Sequence, residues 1–188
     1  LLVMEITGSM VFFPLIFREQ RTIANPQFKN RHIEYYMFPA FCRHVNELTE
    51  VMNKFAQENK TIDIQDLFYR YTLSSFYEVG FGIDMGSIEK DSEFSQAFNL
   101  AQEKIATNAR KLPFYILFGD KEMDRCLDFL NEYVMEIVKS RNEAKSLGDD
   151  LLSRFLIITD EKGYSDKWLA DIVMNFAIAG RDTTAQLL

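Results

Sequence analysis

The sequence is poor in the residues that most often carry catalysis or bind metal: two histidines, two cysteines and one tryptophan occur in 188 residues. His32 and His44 have no Glu or His at the spacing of a helical metal site, and Cys42-Arg43-His44 lacks the second ligand pair that zinc needs. Two cysteines cannot build a disulfide framework. Cys42 and Cys126 both fall in helix-like sequence, where a small thiol is expected to be an inert part of the core. Basic charge is also short. The 21 Lys and Arg against 28 Asp and Glu leave a net charge of -7, which repels phosphate backbones and argues against nucleic acid as a partner. Long apolar runs are missing too, since the longest, residues 10–17, is eight residues and contains Pro14, whereas a membrane-crossing helix takes roughly 20. The chain opens on Leu1-Leu2 without an initiator Met and stops at Leu188 inside a helical pattern. Both ends read as cuts, so the missing targeting signal carries no information about location.

What is present is hydrophobic spacing of about 3.6 residues almost everywhere after Arg18, with hardly any strand-like alternation. The fold class read from this is mainly α, one domain that is incomplete at both ends (residues 1–188), with 47% hydrophobic residues to fill a core. Helices are expected over residues 18–24, ended by Asn25-Pro26, then on through Phe38, with Pro39 forcing a kink or break before residues 41–57. Asp63 is placed to cap a helix whose Leu67, Tyr71, Phe76 and Val79 form an apolar stripe and which Gly80 and Gly82 end. Further helices are expected over 92–108, 121–141 and 150–159. A final helix follows the polar turn Asp160-Glu161-Lys162-Gly163, with Ser165 or Asp166 to cap it, and carries Leu169, Ile172, Val173, Phe176, Ala177, Gly180, Thr183, Thr184 and Leu187 on one face.

Several chemistries fail on inspection. Gly80-Phe81-Gly82-Ile83-Asp84-Met85-Gly86 has its third glycine one place late for a dinucleotide loop and follows a helix, so a helix-ending turn is expected. The pairs Glu132 with Glu136 and Asp124 with Asp128 are one helical turn apart and read as a solvated face. Only Ala179-Gly180-Arg181-Asp182-Thr183-Thr184-Ala185 stands out. A glycine and two β-branched residues there give up about 2 kcal/mol of helix propensity. Two explanations stay open from the residues alone. One is close helix packing at Gly180 with the threonines bonding back to backbone carbonyls; the other is a functional groove.

This run, with Asn175-Phe176-Ala177-Ile178 before it, the upstream Asp150-Leu151-Leu152-Ser153-Arg154-Phe155-Leu156, the Phe81-Gly82-Ile83-Asp84 turn, and Arg18-Glu19-Gln20-Arg21 followed by Pro26 and Phe28, resembles the cytochrome P-450 haem-thiolate monooxygenases in the same order. The resemblance covers residues 17–188. It implies an incomplete cytochrome P-450 fold, from the third lettered helix to the middle of the long distal helix. It further implies a haem b cofactor, dioxygen, electrons from NADPH through a cytochrome P-450 reductase, and an apolar substrate. Ala179 and Gly180 would let the haem approach the helix backbone, Thr183 would place a hydroxyl beside bound dioxygen, Asp182 would feed protons toward it, and Arg21 would pair with a haem propionate. The distal helix would widen locally at this point. Phe176 and Ile172 would line the substrate pocket, and the connector Leu112-Pro113-Phe114-Tyr115-Ile116-Leu117-Phe118 would roof it and touch a membrane surface. Residues 175–184 and 20–28 look most like the eukaryotic branch containing long-chain fatty-acid terminal hydroxylases, and so imply the cytosolic face of the endoplasmic reticulum membrane for the parent protein.

The chain departs from the family in two places. Phe17 stands where the family usually has Trp, and residues 1–16 are atypical, as from a wrongly placed exon boundary. The cysteine-bearing haem loop, which normally follows the distal helix, is not in the 188 residues, so the segment by itself is expected to be inactive. A helical interaction module and a haem-free ligand-binding protein are the alternatives.

Overall fold

The computed structural model describes residues 13–110, 119–144 and 147–188, and among these all regular structure is helical. The aromatic connector at 112–118 lies outside the described residues. Helix α1 spans Phe13–Ala24, starting earlier than the expected Arg18. Pro14 falls in its first turn, where no intrahelical N–H bond is forfeited. A 3-10 turn over Asn25–Phe28, with Pro26 near its start, ends α1.

From Asn30 the backbone is helical as far as Gln57, in three segments: a short α turn Asn30–His32, a π-helical stretch Ile33–Met37, and α2, Phe38–Gln57. Of the kink or break expected at Pro39, no break occurs, and the helix is instead disturbed in the π-helical stretch just before it. Proline offers no N–H to the carbonyl four residues earlier and its ring crowds that carbonyl, so the ladder widens into π geometry just before it and the helix continues.

The other helices obey their caps. Asp63 Oδ1 accepts from Gln65 N at 3.0 Å and Asp66 N at 3.2 Å to start α3, Ile64–Phe81. Gly82, at φ 66°, ends it in the left-handed region. Gly80 does not end the helix but continues it. Ser92 Oγ accepts from Ser95 N at 3.1 Å at the start of α4, Glu93–Arg110. Asp120 Oδ1 does the same for Glu122 N and Met123 N before α5, Lys121–Ala144. Helix α6, Leu151–Lys162, is capped by Asp150 and runs through the expected polar turn to Gly163. Ser165 caps the last helix, α7, Asp166–Leu187.

Helix α7 is the centre of the assembly, packed most extensively on α3 and also on α5 and α6. The main core joins Leu73, Tyr77 and Phe81 of α3 with Phe94 and Phe98 of α4, Val134 and Val138 of α5, Leu152 and Phe155 of α6, and Leu169 and Val173 of α7. A satellite core of Leu48, Val51, Leu67 and Ile88 fastens α2 to α3. Beside it the buried His44 puts Nε2 2.7 Å from Glu78 Oε2.

The cysteines correct one expectation. Helix α2 buries Ala40, His44, Leu48 and Val51, a stripe at helical spacing that sends Cys42 to the opposite side. Cys42 is exposed, and Cys126 is half-buried at the margin of the main core. Among the described residues no helix is long and apolar enough to cross a membrane.

The joint between α5 and α6 is polar and buried. Asp150, 2% exposed, receives Arg141 Nη2 at 2.5 Å and Ser153 N at 2.9 Å, and Ser153 Oγ donates to it at 2.9 Å. Gly148 N donates to Ser153 Oγ at 2.8 Å, and Gln27 Nε2 ties the 3-10 turn to Asp149 O at 2.9 Å.

Candidate active site

Helix α7 presents two unlike faces. Ile172, Val173, Ala177, Arg181 and Ala185 are buried, whereas Asn175, Ala179 and Thr183, each one turn apart, are exposed. The exposed stripe is a low edge of small and polar side chains along an otherwise packed helix. Thr183 and Thr184, expected on the apolar face, are both exposed, as is Leu187 at the helix end.

The packing explanation is met at Gly180 and at one of the two threonines. Thr183 Oγ1 donates to Ala179 O at 2.7 Å. A Cβ on Gly180 would lie 2.9 Å from Phe76 Cδ2, so glycine at 180 is required by the crossing of α7 over α3 and not by the open edge. Helix α7 stays α-helical from Asp166 to Leu187, and the local widening expected at 179–184 is absent. The back-bonded hydroxyl of Thr183 costs no ladder bond, so nothing forces the turn open.

The acid next to the edge is engaged. Asp182 Oδ1 accepts from Arg181 Nη1 at 2.9 Å, and Oδ2 accepts from Gln102 Nε2 of α4. Arg181, which sequence reasoning passed over, is fully buried. Its guanidinium lies between the rings of Tyr69 and Phe98, 4.5 and 4.9 Å from their centroids. Nη1 also donates to Gln102 Oε1 at 2.8 Å and Nη2 to Asn99 Oδ1. Burial pulls the Arg181 pKa below its ordinary value, and the charge and hydrogen bond of Asp182 oppose that pull. An open cleft of about 400 Å³ reaches Arg181 past Asp66, Tyr69 and Gln102.

The remaining expected site residues are dispersed. Ile172 is 2% exposed inside the core, and Phe176 is half-buried with its ring 6.0 Å from Phe155. Arg21 is exposed on α1 and makes no hydrogen bond or ion pair to another described residue. Its neighbour Glu19 is the one that is used, accepting from Lys162 Nζ and, at 2.9 Å, from Tyr164 Oη. These bonds hold the Glu19 carboxyl below its ordinary pKa, Lys162 contributing most.

A flat haem fits this set in part. The edge at Asn175, Ala179 and Thr183 is exposed and bears nothing larger than an asparagine, so a ring face can lie against it, and the exposed Arg21 is a cation without a described carboxylate partner. The Cβ that Gly180 lacks would point at Phe76 of α3.

The chain is 26% identical over 190 residues to "Cytochrome P450 704C1" of Pinus taeda, covering 89% of this chain and 37% of that protein. It is 31% identical over 183 residues to "Cytochrome P450 CYP94D108" of Paris polyphylla, covering 90% and 36%. The chain thus spans little more than a third of the relatives it matches. Among solved structures, a cytochrome P450 (CYP102L1) superimposes with a TM-score of 0.72 at 22% identity, covering 89% of this chain and 40% of that one. The fold is therefore that of part of a cytochrome P450 haem domain. Residues 16–188 match the family described as Cytochrome P450, and the chain belongs to that family.

Proposed function

We propose that the protein containing this chain is a haem-dependent monooxygenase that inserts one atom of dioxygen into an apolar substrate, with electrons delivered from NADPH by a reductase. The observation that carries this reading is the exposed Asn175-Ala179-Thr183 edge beside Asp182, in a chain of this family. When bound, haem b supplies the iron at which dioxygen is activated. The chain's own residues act around it. Ala179 keeps the helix wall low, and the Thr183 hydroxyl stands at the edge and can hold a water there once it leaves Ala179 O. Asp182 is the acid nearest to it in sequence and is 23% exposed, so it can exchange protons with solvent. Arg21 would hold a propionate through a charge-assisted bond.

The substrate proposed is a long-chain fatty acid, hydroxylated at or near its terminal methyl. Support comes from the resemblance of residues 175–184 and 20–28 to the fatty-acid terminal hydroxylases, and from the about 0.8 kcal/mol that each buried methylene contributes, which lets chain length itself give affinity. The setting proposed is the cytosolic face of the endoplasmic reticulum membrane.

The test is the full-length protein with a reductase and NADPH, offered fatty acids, sterols and small aromatics. Fatty-acid turnover is expected. Turnover confined to sterols or aromatics sinks the substrate, and no turnover of any of them sinks the enzyme. In an active protein Thr183→Ala should retain haem but lower product per reducing equivalent, with the balance appearing as hydrogen peroxide. Arg21→Ala should weaken haem retention by about 1.5 to 3 kcal/mol, measured by transfer to apomyoglobin.

A further inference from the structure

The π-helical stretch Ile33–Met37 is held by an aromatic pair that begins just before it. The Tyr36 ring lies against His32, with centroids 4.9 Å apart and planes tilted by 40°. The Tyr36 hydroxyl reaches across to α3 and donates to Glu78 O at 3.2 Å. A π turn is rare because its wider ladder is less favourable than the α ladder, and side-chain contacts of this kind must support it.

His32 also faces the joint between the 3-10 turn and α6. That joint is closed by the Gln27 amide on Asp149 O at 2.9 Å, with Gln27 only 2% exposed. Arg154 of α6 and Asp149 of the α5–α6 joint are the charged groups that act on His32 from outside its own segment. Its neighbour Tyr36 is flanked in turn by Asp150, Asp149, Arg141 and Arg43. Three atoms of this region, His32 Nε2, Gln27 Oε1 and Arg154 Nε, are buried with no hydrogen-bond partner among the described residues. A neutral imidazole can leave one ring nitrogen unprotonated, but an imidazolium must donate from both. At His32 a proton on Nε2 has no acceptor, and its charge stands near the Arg154 guanidinium. Burial first, and Arg154 second, hold the His32 pKa below its ordinary 6.5, against the opposing pull of Asp149.

We infer that His32 is an acid-sensitive pin: neutral, it packs on Tyr36 and keeps the joint between the 3-10 turn and α6 closed; protonated, it turns out to water and releases residues 25–37 from α6 and α3. The open form takes up the proton more readily than the closed one. The closed joint is therefore fully stable above pH 6.5 and loses stability as pH falls from there toward the lower, folded-state value. Helix α1 runs directly into the 3-10 turn, so opening loosens its end as well. The switch needs no haem and stands or falls apart from the function proposed above.

The full-length protein is followed by mass spectrometry from about pH 8 to about pH 5, the range in which a histidine acts. Exchange at the imidazole C2–H of His32 gives the protonation curve of that ring. Backbone amide exchange, corrected for its intrinsic dependence on pH, gives the opening of residues 25–37 and 149–155. The His32 curve should turn below 6.5, and opening should rise by up to about tenfold per pH unit, the slope of a single proton. His32→Phe should keep a ring against Tyr36 and abolish the rise. Arg154→Met should move the His32 curve and the onset of opening to higher pH together. A His32 curve at or above 6.5, opening that ignores pH, or a rise that persists in His32→Phe would overturn the proposal. Should His32→Phe not fold, Arg154→Met carries the test, and a His32 curve that moves without the opening sinks the pin.

Discussion

A methyl group at position 180 would stand 2.9 Å from Cδ2 of the Phe76 ring, closer than ordinary contact. Gly180→Ala is expected to destabilise the protein by about 1 to 3 kcal/mol through overpacking, despite alanine's better helix propensity. Phe76→Leu in the same chain should recover part of the loss. A urea-unfolding double-mutant cycle measures this, and additive effects would place the strain elsewhere. The sequence pointed to position 180 through its low helix propensity but left two causes open, and only the distance to Phe76 separates them. Arg181 was harder to read. It shares the buried stripe of Ala177 and Ala185, yet arginine is seldom buried, and its partners Asn99 and Gln102 are 82 and 79 residues away. Nothing local in the sequence shows that two amides on another helix will meet it.

At the level of helices, several ends were legible where a side chain or a glycine makes them. Asp63 and Ser165 cap and Gly82 closes, because these are local reactions between a residue and its own backbone, whereas the helix passes through Gly80 and α6 runs beyond the expected end at Thr159 to Lys162. Pro39 disturbs the helix one turn earlier, at Ile33–Met37, and not as a break, at a cost that packing decides. In the Asp150 segment the carboxylate caps α6 and also closes on Arg141 and Ser153. Arg141→Leu should cost about 3 to 5 kcal/mol, since it strands a buried carboxylate. Arg141→Leu with Asp150→Asn should cost less than the sum of the single changes, which thermal unfolding would reveal; a simple sum would mean that the pair is not coupled.

Glu19 works between helices, joining α1 to Lys162 at the end of α6 and to Tyr164 just before α7. Its carboxyl is held below its ordinary value of 4.5, so the joint contributes stability at pH values above that and loses it as pH falls through the lower, folded-state value. Glu19→Gln should therefore flatten the acid limb of stability against pH while changing neutral stability little, as expected of a partly exposed ion pair. An acid limb unchanged by Glu19→Gln would assign it to other carboxylates.

For the whole molecule, the helical class was readable because it follows from hydrophobic period, and the order of landmarks was readable through resemblance to the family. The exposed edge of α7 was not legible from hydrophobic period, since exposure of Asn175, Ala179 and Thr183 depends on which neighbours the other helices leave uncovered. The cysteines bear on what the 188-residue chain does alone. Cys42 stands on the outward side of α2 and Cys126 at the core margin on α5, both in helix interiors. At such positions the surrounding backbone N–H groups are already spent on the helical ladder, so neither sulfur has a cup of donors to stabilise it as a thiolate ligand. Hemin added to this chain, then reduced and exposed to carbon monoxide, should give no red-shifted thiolate-type Soret band, although the apolar surface can still trap the ring. Appearance of that band, lost in Cys42→Ser or in Cys126→Ser, would show that a helix-interior thiol can serve as the axial ligand in this fold and would remove the need for a cysteine supplied from elsewhere in the parent protein.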